Sequence, residues 1–229
     1  MFYIVYYFTP KMKQINVPIS KFAAFMGYCE VQIINFYHLE IRPQITSQQI
    51  LGKKIHKDLE EIDKLIPREK ATEAQLKNPS VDLDFPRESI FVSIDRTPFS
   101  YIGRIDKCIR TDGNIVIIDD KTSKSQKIYN KPFPDRILQM CCYCQGFLDA
   151  YSVLMAFNKI LFRVVQRDAN GNVLSEYEGE YDKSMSDLLS TKFQRFEEIY
   201  NKKLQPEHCN NPNKCKACSY FQVCEHRLE

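Results

Sequence analysis

The sequence predicts an α/β domain with a mixed central sheet flanked by helices and followed by a cysteine-rich tail. Three observations predict it: apolar residues at helical spacing near the start, a meander of apolar runs broken by turn residues in the middle, and a helix, a hairpin and a helix after them. Ser20 is the expected cap of a first helix reaching Tyr37, with Phe22, Phe25, Met26 and Cys29 on one face. A second helix is expected from Ser47 to Leu65, where Ile50, Ile55, Leu59, Ile62 and Ile66 recur at intervals of three to five residues until Pro67 ends the run. Residues 68–88 are polar and hold two prolines, which reads as a loop with room for one short helix.

Strands follow. Ile90–Ile94 and Phe99–Ile109 are expected to be extended, and Thr111-Asp112-Gly113-Asn114 turns the chain into the apolar strand Ile115–Asp119. A helix is expected from Asp135 to Met155, then strand Asn158–Gln166, a hairpin turn at Asn170-Gly171, strand Val173–Tyr181, and a last helix from Ser184 to Leu204. Pro206 separates that helix from the tail.

At 229 residues the chain suits one domain, 1–229, with a helical part over 20–66, a core over 90–204 and the tail over 205–229. Hydrophobic residues at 44% and charged residues at 27% exclude a disordered or fibrous chain. The net charge of +3 is too small to mark a nucleic-acid binder by itself, so a phosphate-binding surface requires local clustering of Lys and Arg. Residues Met1–Thr9 are apolar but too short to span a bilayer, and read as an edge strand or a loose end. With no uncharged run of spanning length, a soluble cytoplasmic protein without membrane contact is expected. Nine cysteines in such a compartment point to metal ligation rather than disulfides.

The strongest chemical signal is Gly103-Arg-Ile-Asp106, a turn, and then Ile117-Ile-Asp119-Asp120-Lys121-Thr122. Residues two apart on a strand share a face, so Asp119 and Lys121 point one way and Asp120 the other. Folding back at Asp112-Gly113 brings Asp106 beside Asp119, and two close carboxylates make a hard-oxygen site for Mg²⁺ or Mn²⁺. Such an ion activates water against a phosphodiester, and the Lys121 ammonium can place that water or stabilise the developing charge. His56 lies within the second helix, one turn before Glu60; its imidazole can complete the metal shell, and Gly52 would let the helix come close to the sheet.

These residues, in this order, resemble the RecB-like branch of the PD-(D/E)XK nucleases, especially the CRISPR-associated adaptation exonucleases with an iron–sulfur cluster and their viral relatives. The motifs are G-x-x-x-H at Gly52–His56, G-x-x-D at Gly103–Asp106, I-D-D-K-T at Ile118–Thr122, and Q-x-x-x-Y at Gln139–Tyr143. The resemblance implies a restriction-endonuclease-like fold and a metal-dependent DNA nuclease acting on single strands or free ends. It implies His56, Asp106 and Asp119 as metal ligands with the Asp120 carbonyl as a further one, Lys121 as catalytic, and Gln139 and Tyr143 as supports. It also implies protein partners in a DNA-processing complex, and antiviral defence as one setting. The family's Cys-Pro in the first helix reads Cys29-Glu30 here.

The tail reads Cys209-x5-Cys215-x2-Cys218-x5-Cys224, a thiolate metal site by its spacing. Two ligand sets fit. All four tail cysteines can hold Zn²⁺; alternatively, as the resemblance implies, Cys29 joins Cys215, Cys218 and Cys224 around a [4Fe–4S] cluster and Cys209 is spare. Cys108, Cys141, Cys142 and Cys144 read as small core residues, and His208 and His226 flank the tail. Lys107, Arg110, Lys121, Lys124, Lys127, Lys131 and Arg136, with Tyr129, form an expected basic and aromatic surface for single-stranded DNA. The competing reading is a non-catalytic module in which the metal tail and the basic segment hold nucleic acid or a partner.

Overall fold

Strand β1 (Ile15–Pro18) runs directly into helix α1 (Ile19–Gly27), with Pro18 in the N-cap position and no side chain capping the first turn. The computed structural model describes residues 14–123, 128 and 131–228. The expectations for Met1–Thr9 and for Lys124, Lys127 and Tyr129 therefore lie outside the described residues. The single helix expected over Ser20–Tyr37 is instead three pieces: α1, a bend at residues 28–30, and α2 (Val31–Ile33) continuing into a π turn at Ile34–His38. Glu30 holds the bend. Its buried carboxylate accepts two bonds from Arg195 (2.6 and 2.7 Å) and one from the backbone N–H of Glu207 (2.8 Å). This long-range pairing is invisible to periodicity, and it gives Glu30 a role at the position where the resembled nucleases carry proline.

Helix α3 (Ser47–Lys64) starts with a reciprocal capping box between Thr46 and Gln49. Its apolar stripe does not face the core: Ile50, Ile62 and Ile66 are exposed, and of the apolar residues in that stripe only Ile55 is buried. Gly52 has open space around it, so the close approach expected there does not occur. The helix is fastened instead by polar contacts, with the Gln48 amide donating to the Thr122 carbonyl and His56 reaching the end of the central strand.

After α4 (Glu73–Lys77) and the short β2 (Leu83–Asp84) come β3 (Phe91–Arg96), β4 (Phe99–Arg104), β5 (Lys107–Thr111) and β6 (Asn114–Thr122). The run Phe99–Ile109, expected as one strand, breaks at Ile105-Asp106, and its halves join different sheets. One sheet has the order β1-β4-β3, with β1 parallel to β4 and β3 antiparallel. Helix α5 (Pro134–Tyr151) crosses over to β7 (Ile160–Arg167), which pairs parallel with β6, as a helical crossover requires. Strand β8 (Val173–Glu180) completes a second sheet of order β2-β5-β6-β7-β8, and α6 (Lys183–Tyr200) and α7 (Pro212–Ala217) close the chain. The fold is thus mixed α/β, with mixed sheets flanked by helices and a cysteine-rich end.

The core joins both sheets to α1, α5 and α6. Phe22, Tyr101, Phe193 and Phe196 interlock with ring centroids 4.3–5.8 Å apart, a spacing that adds to plain area burial. Cys108, Cys141, Cys142 and Cys144 are buried within this core, as their apolar neighbours predicted. Among the described residues no helix is long and apolar enough to cross a membrane.

Candidate active site

The β5–β6 hairpin sets the geometry. Thr111 pairs with Asn114 across Asp112 and Gly113, both at positive φ (50° and 74°), the conformation that a two-residue turn between twisted strands demands. The same register pairs Lys107 with Ile118, so Asp106, at the break before β5, comes to the level of Asp119. The Asp106 carboxylate accepts the Asp120 backbone N–H at 3.0 Å and lies 3.5 Å from His56 Nδ1. His56 Nε2 lies 2.9 Å from the Asp120 carbonyl. One histidine on α3 thus touches both the carboxylate and the carbonyl that the sequence motifs single out.

On the other side of the pair, Lys121 Nζ donates to Asp119 Oδ1 at 2.9 Å and to Gln139 Oε1 at 3.0 Å. The Gln139 amide donates in turn to Asp119 Oδ1 (3.3 Å) and to the Tyr143 hydroxyl (2.9 Å). Gln139 and Tyr143, one turn apart on α5, therefore hold Lys121 and Asp119 in place. Gly103 makes room for them: a Cβ there would come within 2.9 Å of the Tyr143 ring. The glycine of the G-x-x-D motif is thus needed for packing rather than for chemistry.

Asp120 points the opposite way, as strand alternation predicted. Its fully buried carboxylate is clamped by Arg87 and Arg167, the latter at 2.6 Å. The clamp fixes the strand end, and with it the carbonyl that His56 meets. Asp63 extends the network, accepting from Arg68 (2.7 Å), Lys107 (3.0 Å) and the Arg87 backbone (2.7 Å).

Burial and the neighbouring Asp119 charge push the Asp106 carboxyl up to about 6, while His56 and Lys121 pull it down. Lys121 Nζ lies 2.8 Å from the buried Asp119 Oδ2 and 2.9 Å from Oδ1, so the ammonium spans both oxygens of that carboxylate. Two buried carboxylates, one of them raised by burial and by the charge of the other, are the environment a divalent cation would relieve. His56 meets both the Asp106 carboxylate and the Asp120 carbonyl, and with Asp119, whose charge Asp106 feels, these are donors of the kind such an ion takes. Glu88, which no sequence motif marked, brings a carboxylate oxygen into one group with the ligand atoms of His56 and Asp106.

The expected basic surface is partly corrected. Arg110 is fully buried and donates to the carbonyls of Gln75, Leu76, Val81 and Ala156, pinning the residues around α4 to the sheet. Lys107 is consumed by Asp63 and Asp84. Neither can meet a phosphate. Lys131 is exposed, and Arg136 pairs with Asp135 at 3.3 Å.

The tail forms a second site. Cys29, at the bend after α1, faces Cys209, Cys215, Cys218 and Cys224 around one small cavity that His208 also lines. Cys209 Sγ is 3.6 Å from Cys215 Sγ, and Cys215 Sγ is 3.4 Å from His208 Nε2. Cys218 accepts from the Gln32 amide (3.4 Å) and the Tyr220 backbone (3.5 Å). Burial pushes the Cys29 thiol up to about 12 and raises Cys215 and Cys218. Cys209, a ligand in the zinc reading and spare in the cluster reading, lies at the cavity, and so does His208, which the sequence placed only beside the tail.

The profile of the PD-(D/E)XK nuclease superfamily matches residues 81–225, which span β2 to the end of the cysteine tail. The chain belongs to that superfamily. No curated protein matches it. Among solved structures it is similar to SSO0001, at 18% identity and a TM-score of 0.53 over 93% of this chain and 87% of that one. It is also similar to a protein of Eubacterium rectale designated a candidate exonuclease, at 11% identity and a TM-score of 0.53 over 100% and 96%. At these identities the likeness concerns the fold, which in both cases covers nearly the whole of either chain. As a member of the PD-(D/E)XK nuclease superfamily, the chain is a metal-dependent nuclease, a phosphodiester hydrolase.

Proposed function

We propose that this nuclease is a Mg²⁺- or Mn²⁺-dependent deoxyribonuclease acting on single strands or free ends, with His56, Asp106, Asp119 and the Asp120 carbonyl as metal ligands. The observations that carry the reading are the contacts of His56 with the Asp106 carboxylate and the Asp120 carbonyl and, on the same strand end, the hold of Asp119 and Gln139 on the Lys121 ammonium. A divalent ion there supplies a Lewis acid for the phosphoryl oxygen and lowers the pKa of a bound water. The chain's own residues do the rest. Lys121 keeps a fixed positive charge beside the reacting phosphate, Gln139 and Tyr143 stop it from swinging away, and the Arg87–Asp120–Arg167 clamp keeps the strand end rigid.

In the cysteine cavity, Cys29, Cys215, Cys218 and Cys224 would hold a [4Fe–4S] cluster that ties the bend after α1 to the tail. A second reading, Zn²⁺, is favoured by the nearness of Cys209 to Cys215 and of His208 to both. Metal content of anaerobically purified protein, with absorbance near roughly 400 nm for a cluster, separates the two.

The activity is tested with end-labelled single- and double-stranded DNA in Mg²⁺ or Mn²⁺, with EDTA and Asp119→Ala as controls. Cleavage that needs the ion and disappears in the variant supports the assignment. Cleavage that survives Asp119→Ala overturns it, and DNA binding without cleavage in any divalent ion favours a non-catalytic module.

A further inference from the structure

Glu88 sits on the turn between β2 and β3, where no periodicity or motif marks a functional residue. Its carboxylate oxygen, a carboxylate oxygen of Asp106 and a ring nitrogen of His56 all lie within 4.8 Å of one another. Its backbone is tied to the same partner, since the Glu88 N–H donates to the Asp106 carbonyl at 3.0 Å. The residue adopts φ 55°, left-handed backbone that side chains other than glycine, asparagine and aspartate rarely take.

Both neighbours hold the turn in that shape. Arg87 is fastened by its N–H to Asp63 and by its guanidinium to Asp120, and the Ser89 N–H returns to the Pro86 carbonyl at 3.2 Å. The same buried network that fixes the end of β6 therefore delivers Glu88 to the acidic centre. The side chain also pairs with Arg104 at 3.3 Å, but that guanidinium is 60% exposed, so water screens the pair and it cannot account for the placement.

We infer that Glu88 is a further ligand of the divalent ion, binding on the side of Asp106 that faces His56. The inference rests on the metal-centre reading above and adds to it a third carboxylate from a third part of the chain. A hard cation such as Mg²⁺ or Mn²⁺ prefers oxygen donors and gains from each added negative charge. Glu88 would therefore set affinity for the ion, while Asp119 and Lys121 face the chemistry.

The test is Mn²⁺ binding to the full chain without DNA, followed by calorimetry and by the electron paramagnetic resonance of free Mn²⁺. Glu88→Gln and Glu88→Gly are both expected to weaken binding by about 10-fold or more, and Glu88→Asp by less. Glycine tolerates the left-handed backbone, so Glu88→Gly removes the carboxylate without straining the turn. Arg104→Ala should leave affinity unchanged or slightly tighter. If Glu88→Gln and Glu88→Gly bind Mn²⁺ as tightly as the parent while Asp106→Asn loses it, Glu88 is no ligand and the metal centre stands without it. If Asp106→Asn also binds undiminished, the centre itself has been misplaced and Glu88 falls with it.

Discussion

The acidic centre and the cysteine cavity are both metal-site geometries, but they are held in different ways. In the acidic centre Asp106 accepts a backbone N–H, Asp119 accepts Lys121 and Gln139, and Asp120 is locked by two arginines, so most of the polar atoms already have protein partners. The cavity's sulfurs meet one another, a histidine and an amide at 3.4–3.6 Å, contacts with weak donors and acceptors. One site is shaped by sheet register and would accept an ion with little rearrangement. The other brings together residues nearly two hundred positions apart, and its thiols must lose protons to bind anything. A preorganised site suits catalysis, whereas a site whose ligands organise around their occupant suits a structural staple.

Four experiments can break or sharpen this contrast. The largest effect is expected from Lys121→Met, which removes the charge and keeps much of the stem. Cleavage should fall by about 10²–10³-fold, as for loss of one preorganised electrostatic group. Mn²⁺ affinity should stay or rise, because Asp119 loses a competitor; a parallel loss of metal binding would show that the lysine holds the site together rather than serving the reaction.

Cys29→Ala should deplete the cavity of its metal and lower Tm by about 4–8 °C, corresponding to roughly 2 kcal/mol for a chain of this length. Cys209→Ala should retain the metal if the cluster reading holds. Iron and zinc analysis of both variants decides this, and equal depletion would favour the zinc set.

Asp106→Asn should stabilise the protein in the absence of added divalent ions. The carboxyl, raised to about 6 in the fold from an ordinary value of 3.8, favours the folded state when protonated. That contribution is complete below the ordinary value and is lost as pH rises through about 6. The amide removes the penalty, so at pH 8 the variant should melt higher by a few degrees, on the order of 1–2 kcal/mol, with the gap closing toward pH 4. A variant that melts lower at pH 8 would show that Asp106 is already satisfied without the ion.

The smallest effect is expected at Ile62→Lys. Its side chain is 62% exposed on α3, so stability should change by no more than about 0.5 kcal/mol in a thermal melt. A larger loss would mean that α3 is held by its apolar stripe rather than by Gln48 and His56.

The sequence by itself determined the parts of this protein that depend on short-range rules. The turn at Asp112-Gly113 dictates the hairpin, the hairpin brings Asp106 to Asp119, and strand alternation separates Asp119 and Lys121 from Asp120; each step involves neighbours along the chain. Only the tertiary structure decided the rest. The break at Ile105-Asp106 that divides one expected strand between two sheets, the bend at Glu30 secured by Arg195, the burial of Arg110 under carbonyls, and the arrival of Glu88 beside Asp106 and of Cys29 beside His208 all depend on partners far away in sequence. Local periodicity records which face of an element is apolar. It carries no record of which distant charge, carbonyl or thiol will meet it, because those encounters are selected by the packing of whole layers.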